Sequence, residues 1–147
     1  MNKEKIIAYT DGGARGNPGP AGIGVAIKSP DGMAKTYSQS IGVRTNNEAE
    51  YEAVIFALQK IKSLFGKDKA KKLEVEIRMD SELVARQLGG KYKVSEAGLV
   101  PLYIKVHNSI VDFEAVSFTE IPRENNAEAD ALANEAMDGG EKQTLFN

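Results

Sequence analysis

Four acidic residues stand where elements of structure are expected to begin or end. Asp11 closes the run Lys5–Thr10, and Glu50 lies in the first turn of a helix opened by Thr45. Asp80 follows the run Leu73–Met79, and Asp130 lies in the first turn of the last helix. Carboxylates that converge repel one another, so either their pKa values rise or cations share the site. Oxygen-only ligands suit Mg²⁺ or Mn²⁺. Two such ions about 4 Å apart can activate a water and stabilise the leaving oxygen in phosphodiester cleavage. Three of the acids have an evident structural use as well. Asp11–Gly12 is a turn pair, Asp80 suits the N-cap of a following helix, and Asp130 is favoured by a helix dipole without any ligand. With 21 acidic residues in the chain, some fall at element ends by coincidence.

Glu50 is harder to explain that way. Thr45 and Glu48 have the spacing of a capping box, which gives Glu48 a structural task. Ala53, Val54, Ala57, Leu58, Ile61, Leu64 and Phe65 recur at helical spacing and define a buried stripe. Glu50 lies three and four residues back along it, a carboxylate on the inward face. An unpaired charge there is costly, so it must be neutral, paired or bound to a metal.

The elements that must position these acids follow from the pattern of the chain. Lys5–Thr10 reads as a strand and Asp11–Pro20 as a glycine-rich turn. That turn lacks the Gly-Lys-Ser/Thr ending of a phosphate loop and the dinucleotide fingerprint. Gly22–Lys28 is a second strand, Ser29–Gly32 a tight turn, and Ala34–Ile41 a third strand, which together suggest an antiparallel meander. A helix runs from Asn46 to Phe65 and stops at Gly66, and the basic stretch Lys67–Lys72 reads as a solvated loop. Leu73–Met79 is a strand, Ser81–Leu88 a helix closed by Gly89–Gly90, and Ala97–Val111 a helix with Pro101 early in it. Ala115–Ile121 is the last strand, and Asn125 or Asn126 opens the helix that carries Asp130. The tail from Gly139 carries too little pattern to assign. The order predicts an α/β fold with a mixed sheet, three antiparallel strands first and later strands joined through helices. Sites in such sheets form at strand ends and helix starts.

Composition bounds the rest. At 147 residues, 41% hydrophobic and 27% charged, the chain reads as one soluble domain, residues 1–147, with a core of its own and no need of a protein partner, so a monomer is expected. There is no cysteine, hence no disulfide or thiolate site. No apolar segment has the character of a signal peptide or a membrane span, and a cytoplasmic protein is expected. A net charge of −2 argues against a generic nucleic-acid binder without excluding a basic surface beside an acidic pocket.

Four motifs, taken together, resemble type 1 ribonuclease H, which cuts the RNA strand of RNA–DNA hybrids. They are Tyr9–Gly13 with Gly16–Gly19, Thr45–Glu50, Met79–Ser81, and Pro122–Asp130, and the likeness extends through about Asp138. The resemblance implies a five-stranded sheet flanked by helices. It implies that Asp11, Glu50, Asp80 and Asp130 hold two Mg²⁺ ions, with Mn²⁺ as a substitute, Asp11 bridging both. Glu50 would meet the RNA 2′-hydroxyl, and Asp130 would hold the ion that positions the attacking water. Products would carry 5′-phosphate and 3′-hydroxyl ends. Gly12, Asn17, Asn46 and Asn47 match positions that contact the hybrid, the asparagines in its minor groove, where 2′-hydroxyls are exposed. Thr45 matches a residue that grips a DNA-strand phosphate, as a helix N-terminus favours.

The sequence departs from the family in three places. Many members carry a histidine in the loop before the last aspartate. Here that stretch offers Glu120, Arg123 and Glu124, of which Arg123 and Glu124 are candidate accessory residues, while the single histidine, His107, reads as a surface or packing residue. The segment Gly89–Pro101 is too short for the basic protrusion of many members and offers only Lys91 and Lys93, and no separate hybrid-binding domain is seen before the core. Weaker, more salt-sensitive binding is expected. Glu82 stands where an amide is common, adding negative charge near the RNA. Two other readings use the same fold: a resolvase- or integrase-type nuclease, and a non-catalytic hybrid-binding module. The double asparagine after Thr45 counts against the first, and four mutually repelling acids count against the second.

Overall fold

The computed structural model describes residues 5–146, with side chains described through Gly139. The elements are β1 (Lys5–Ala14), β2 (Gly19–Lys28), β3 (Ala34–Arg44), α1 (Asn46–Phe65), α2 (Lys67–Ala70), β4 (Glu74–Met79), α3 (Glu82–Leu88), α4 (Val100–Ile110), β5 (Ala115–Glu120) and α5 (Ala127–Phe146), the last preceded by a 3-10 turn at Arg123–Asn126. The five strands form one sheet in the order β3-β2-β1-β4-β5. β1 pairs antiparallel with β2 and parallel with β4, and β4 pairs parallel with β5. The mixed sheet expected from the element order is therefore present. No helix among the described residues is long and apolar enough to cross a membrane.

The main core lies on one face of the sheet. Ile6 and Ala8 of β1, Val25 and Ile27 of β2, and Val75, Ile77 and Met79 of β4 pack there against Tyr51, Val54, Leu58 and Ile61 of α1, with Val106 of α4 behind. Alternation along each strand sends these residues to the helix-covered side. The capping box forms as the sequence predicts: Thr45 Oγ1 accepts from the Glu48 amide at 3.1 Å, and Glu48 Oε1 accepts from the Thr45 amide at 2.8 Å. The apolar stripe of α1 stops short of its predicted length. Leu64 is exposed, and Phe65 is only half-buried at the edge of the core.

On the opposite face α5 packs across β2, β3 and β1. It approaches closely because its neighbours there are small: a Cβ at Gly24 would lie 2.1 Å from the Ala129 carbonyl oxygen. Hydroxyls fix its position, Ser38 Oγ donating to Leu132 O at 2.7 Å and Ser40 Oγ to Ala136 O at 2.8 Å.

Several boundaries differ from the sequence reading. Asp11–Ala14 is not turn but strand, paired with β2 from Asp11↔Gly24 to Ala14↔Ala21, so the connecting loop shrinks to residues 15–18. The glycines there permit close helix packing rather than a turn. β3 runs on to Arg44, α4 begins at Val100 rather than Ala97, and Leu73 falls before β4. Part of the basic stretch forms the short helix α2, anchored by the buried Ala70. The tail left unassigned continues α5 to Phe146 despite Gly139 and Gly140, each of which weakens a helix by about 1 kcal/mol. Residues 1–4, expected to lead into the first strand, lie outside the described residues.

Candidate active site

Two adjacent parallel strands, β1 and β4, run in the same direction and cease to pair after Tyr9↔Arg78. Asp11 lies just past that point on β1, and Asp80 immediately follows β4. The end of the ladder thus brings two carboxylates, 69 positions apart in sequence, to neighbouring places at the edge of a cleft. The helix after β4 is capped by Ser81, whose Oγ accepts from the Val84 amide, so Asp80 is not engaged as a cap.

Glu50 arrives from above. A Cβ at Gly12 would lie 2.2 Å from the Ala49 carbonyl oxygen, so only glycine lets the first turn of α1 settle onto β1 and lower Glu50 beside Asp11. One oxygen from each of Asp11, Glu50 and Asp80 falls within 4.8 Å of the others. Asp130, delivered by α5, stands outside that tightest set. It lines the same cavity, of about 710 Å³, and interacts with the Asp11 carboxyl by hydrogen bond and by charge. The four acids predicted from sequence are thereby brought together at one place.

The electrostatics follow from crowding and burial. Burial, the charge of Asp80 and the proximity of Asp130 raise Asp11 from 3.8 to about 7, while its hydrogen bond with Glu50 opposes the rise. Burial and then Asp11 raise Glu50 well above its ordinary value. Asp80 is also raised, by burial first, while Arg123 opposes the shift. Glu50 Oε2 and Asp80 Oδ2 are fully enclosed and have no hydrogen-bond partner. Buried acceptors without donors are rare, and oxygens at this spacing match the donor set of a hard divalent cation.

The other predicted residues fall into two groups. At the rim, the β1–β2 loop is tied to the start of α1: Asn46 Oδ1 accepts from the Ala14 amide, and Asn17 Oδ1 accepts from the Asn46 amide, both at 2.9 Å. Thr45 caps the helix beside them, and Asn47 is half-buried in its first turn. Gly12 and Asn46 line the cavity; Asn17, Thr45 and Asn47 do not. On the far side, Arg123 lines the cavity with its Nε 4.0 Å from Asp80 Oδ2, while Glu124 is exposed and does not reach it. His107 is at the surface, stacked on Tyr103 with ring centroids 5.7 Å apart.

Sequence reasoning missed Arg15, Asn126 and Asn134. Arg15 lines the cavity, and its Nη2 donates to Asn134 Oδ1 at 3.0 Å and to Asp138 Oδ1 at 2.8 Å. Asn134 Nδ2 donates in turn to the Asp130 carbonyl at 2.9 Å. Arg15 carries a sequence signal, being the sole charged side chain between Asp11 and Lys28. The two asparagines carry none.

Comparison with known proteins points the same way. Residues 9–136 match a family described as reverse transcriptase-like. The chain is 41% identical over 135 residues to ribonuclease HI of Halobacterium salinarum, covering 91% of this chain and 65% of that protein. It is 39% identical over 139 residues to a bifunctional protein of Mycobacterium tuberculosis, covering 91% of this chain and 36% of that one. The chain thus spans only part of the length of these relatives. Among solved structures, LC11-RNase H1, isolated from compost, is 51% identical, with a TM-score of 0.84 over 95% of this chain and 98% of that one. A second structure of that protein, in complex with an RNA/DNA hybrid, also gives a TM-score of 0.84, covering 91% and 97%.

Proposed function

From a chain that belongs to the ribonuclease HI family, we propose an endoribonuclease that hydrolyses the RNA strand of RNA–DNA hybrids and leaves 5′-phosphate and 3′-hydroxyl ends. The observation that carries this reading is the pair of enclosed oxygens without a hydrogen bond, Glu50 Oε2 and Asp80 Oδ2, in a cleft where oxygens of three carboxylates lie within 4.8 Å of one another. Such repulsion is relieved by protonation or by cations, and enclosed oxygens without donors at this spacing suit a hard divalent cation.

Asp11, Glu50, Asp80 and Asp130 would hold two Mg²⁺ ions, with Mn²⁺ as a substitute. Bound there, divalent cations supply an activated water and neutralise charge on the departing oxygen. The chain's own groups do the rest. Glu50, at the start of α1, meets the 2′-hydroxyl next to the scissile phosphate. Asn17 and Asn46 have their carbonyl oxygens engaged by backbone amides, which leaves their NH₂ groups as donors on exposed residues. Donors at that place suit the 2′-oxygens and base acceptors of the wide minor groove of a hybrid. Asn47 extends the same row, and Gly12 keeps the backbone flat beneath it. Thr45, at the N-terminus of α1, receives a phosphate of the DNA strand, where the helix dipole favours negative charge. Arg123, 85% exposed at the lip of the cavity, offers a cation to the substrate or product phosphate in place of a histidine; Glu124 flanks it as a second accessory group. The proposal includes a monomeric enzyme acting in the cytoplasm.

The test uses labelled RNA–DNA hybrid, double-stranded DNA and double-stranded RNA, with Mg²⁺ and with chelator. Cleavage of the RNA strand of the hybrid, dependent on Mg²⁺ and lost in Asp11→Asn, is the expected result. Cutting at the parent rate by that variant, or an intact hybrid in every condition, refutes the reading.

A further inference from the structure

Asn126 is 1% exposed and sits at the last position of the 3-10 turn, directly before α5. Its Nδ2 donates to the Thr10 carbonyl at 2.9 Å, across 116 positions of sequence. The same side chain lies close enough to the Asp80 carboxylate to favour its ionised form slightly. Thr10 precedes Asp11, and Asp130 follows Asn126 by one helical turn. The β1–β4 ladder ends at Tyr9↔Arg78, so past that point no backbone pairing holds the two strand ends at a fixed separation.

An asparagine directly before a helix ordinarily acts as an N-cap, its Oδ1 accepting an amide of the first turn. Here Oδ1 is buried and has no partner. Capping is therefore not what this side chain does, and the fold tolerates an unsatisfied acceptor to keep the Nδ2 contacts. We propose that Asn126 is the positioning residue of the acid cluster: its amide bridges the ends of β1 and β4 where their ladder stops, and fixes the spacing of Asp11, Asp80 and Asp130. The inference rests on the ribonuclease reading for its consequence in catalysis, but not for its geometry. Groups that orient metal ligands from behind typically change metal affinity or activity by about 10–100-fold when removed.

The test compares the full chain with Asn126→Ala and Asn126→Asp, the latter keeping the volume and losing the donor. Circular dichroism establishes folding, calorimetric titration gives Mn²⁺ affinity, steady-state cleavage gives kcat and KM, and a crystal structure gives the carboxylate spacing. Both variants are expected to lose about tenfold or more in kcat and in Mn²⁺ affinity, with KM for hybrid within about threefold of the parent. The Asp11 and Asp80 oxygens are expected to move apart in Asn126→Ala. Parent values of kcat and metal affinity in a folded variant, with unchanged carboxylate spacing, overturn the proposal whatever the melting temperature does. If Asn126→Ala does not fold, Asn126→Ser, which keeps a shorter donor, is measured on the same readouts with the same criteria. A parent chain that cuts no hybrid refutes the ribonuclease reading alone, since the spacing in the crystal structures still decides the role of Asn126.

Discussion

Asp11→Asn is expected to make the metal-free protein more stable while removing its activity. In the folded chain Asp11 keeps its proton up to about 7, chiefly through burial and the charge of Asp80, whereas the unfolded chain releases it near 3.8. Between those values the folded state binds more protons than the unfolded one, so stability falls as pH rises through the window. Each tenfold in acidity corresponds to about 1.4 kcal/mol, which puts a ceiling of about 4 kcal/mol on the cost of this one group at neutral pH. Solvent relaxation in an open cleft lowers it, and about 2 kcal/mol is the figure to test. For a chain of this length that is a rise in melting temperature of about 6 °C in Asp11→Asn, measured in chelator at pH 8. The gap should shrink as pH is lowered and vanish below about pH 4, where the parent carboxyl is protonated in both states. In Mg²⁺ it should close or reverse, because the parent gains binding energy that the variant lacks. Equal or lower stability of the variant in chelator at pH 8, or a gap indifferent to Mg²⁺, refutes the claim that the acids are held together against their own repulsion.

Glu76 provides the opposite case on the sheet face away from the main core. Burial works against its charge, but hydrogen bonds from Arg78, Thr119 and Lys5 outweigh it and lower the carboxyl to about 2. Its contribution is complete above about pH 4.5 and fades as pH falls toward 2, so Glu76→Gln should cost about 2 kcal/mol at neutral pH and nothing in strong acid, read from denaturant melts across pH. Gly24→Ala places a methyl 2.1 Å from the Ala129 carbonyl and must push α5 off the sheet. A loss of about 2–3 kcal/mol in denaturant melts is expected, with at least about a tenfold fall in kcat as Asp130 is displaced. Thr45→Ala removes the cap of α1 and should cost about 1 kcal/mol in thermal melts, with a higher KM for hybrid and little change in kcat.

Most of the fold was legible because its elements carry strong periodicity. The capping box at Thr45 and the stripe behind it located α1, and alternation in Leu73–Met79 located β4. The glycine-rich stretch after Asp11 misled for a physical reason. Gly12 leaves room for the backbone of α1 and Gly13 for the Met137 side chain of α5, and glycine chosen for space looks in sequence like glycine chosen for a turn. The acids were legible as a set because each follows or opens a recognisable element. Their mutual distance was not, since it depends on where the β1–β4 ladder stops and on how closely α1 and α5 approach. Asn126 stayed hidden for the same reason: nothing local distinguishes an asparagine that bonds a carbonyl 116 positions away from one that caps the next helix.

Calorimetric titration of the chelator-treated protein with Mn²⁺ tests the central claim most directly. Saturable binding in the parent, abolished or strongly weakened in Asp11→Asn and in Glu50→Gln while both remain folded, is the outcome expected of carboxylates gathered to hold cations. Absence of binding in the parent, or identical isotherms in all three proteins, contradicts it.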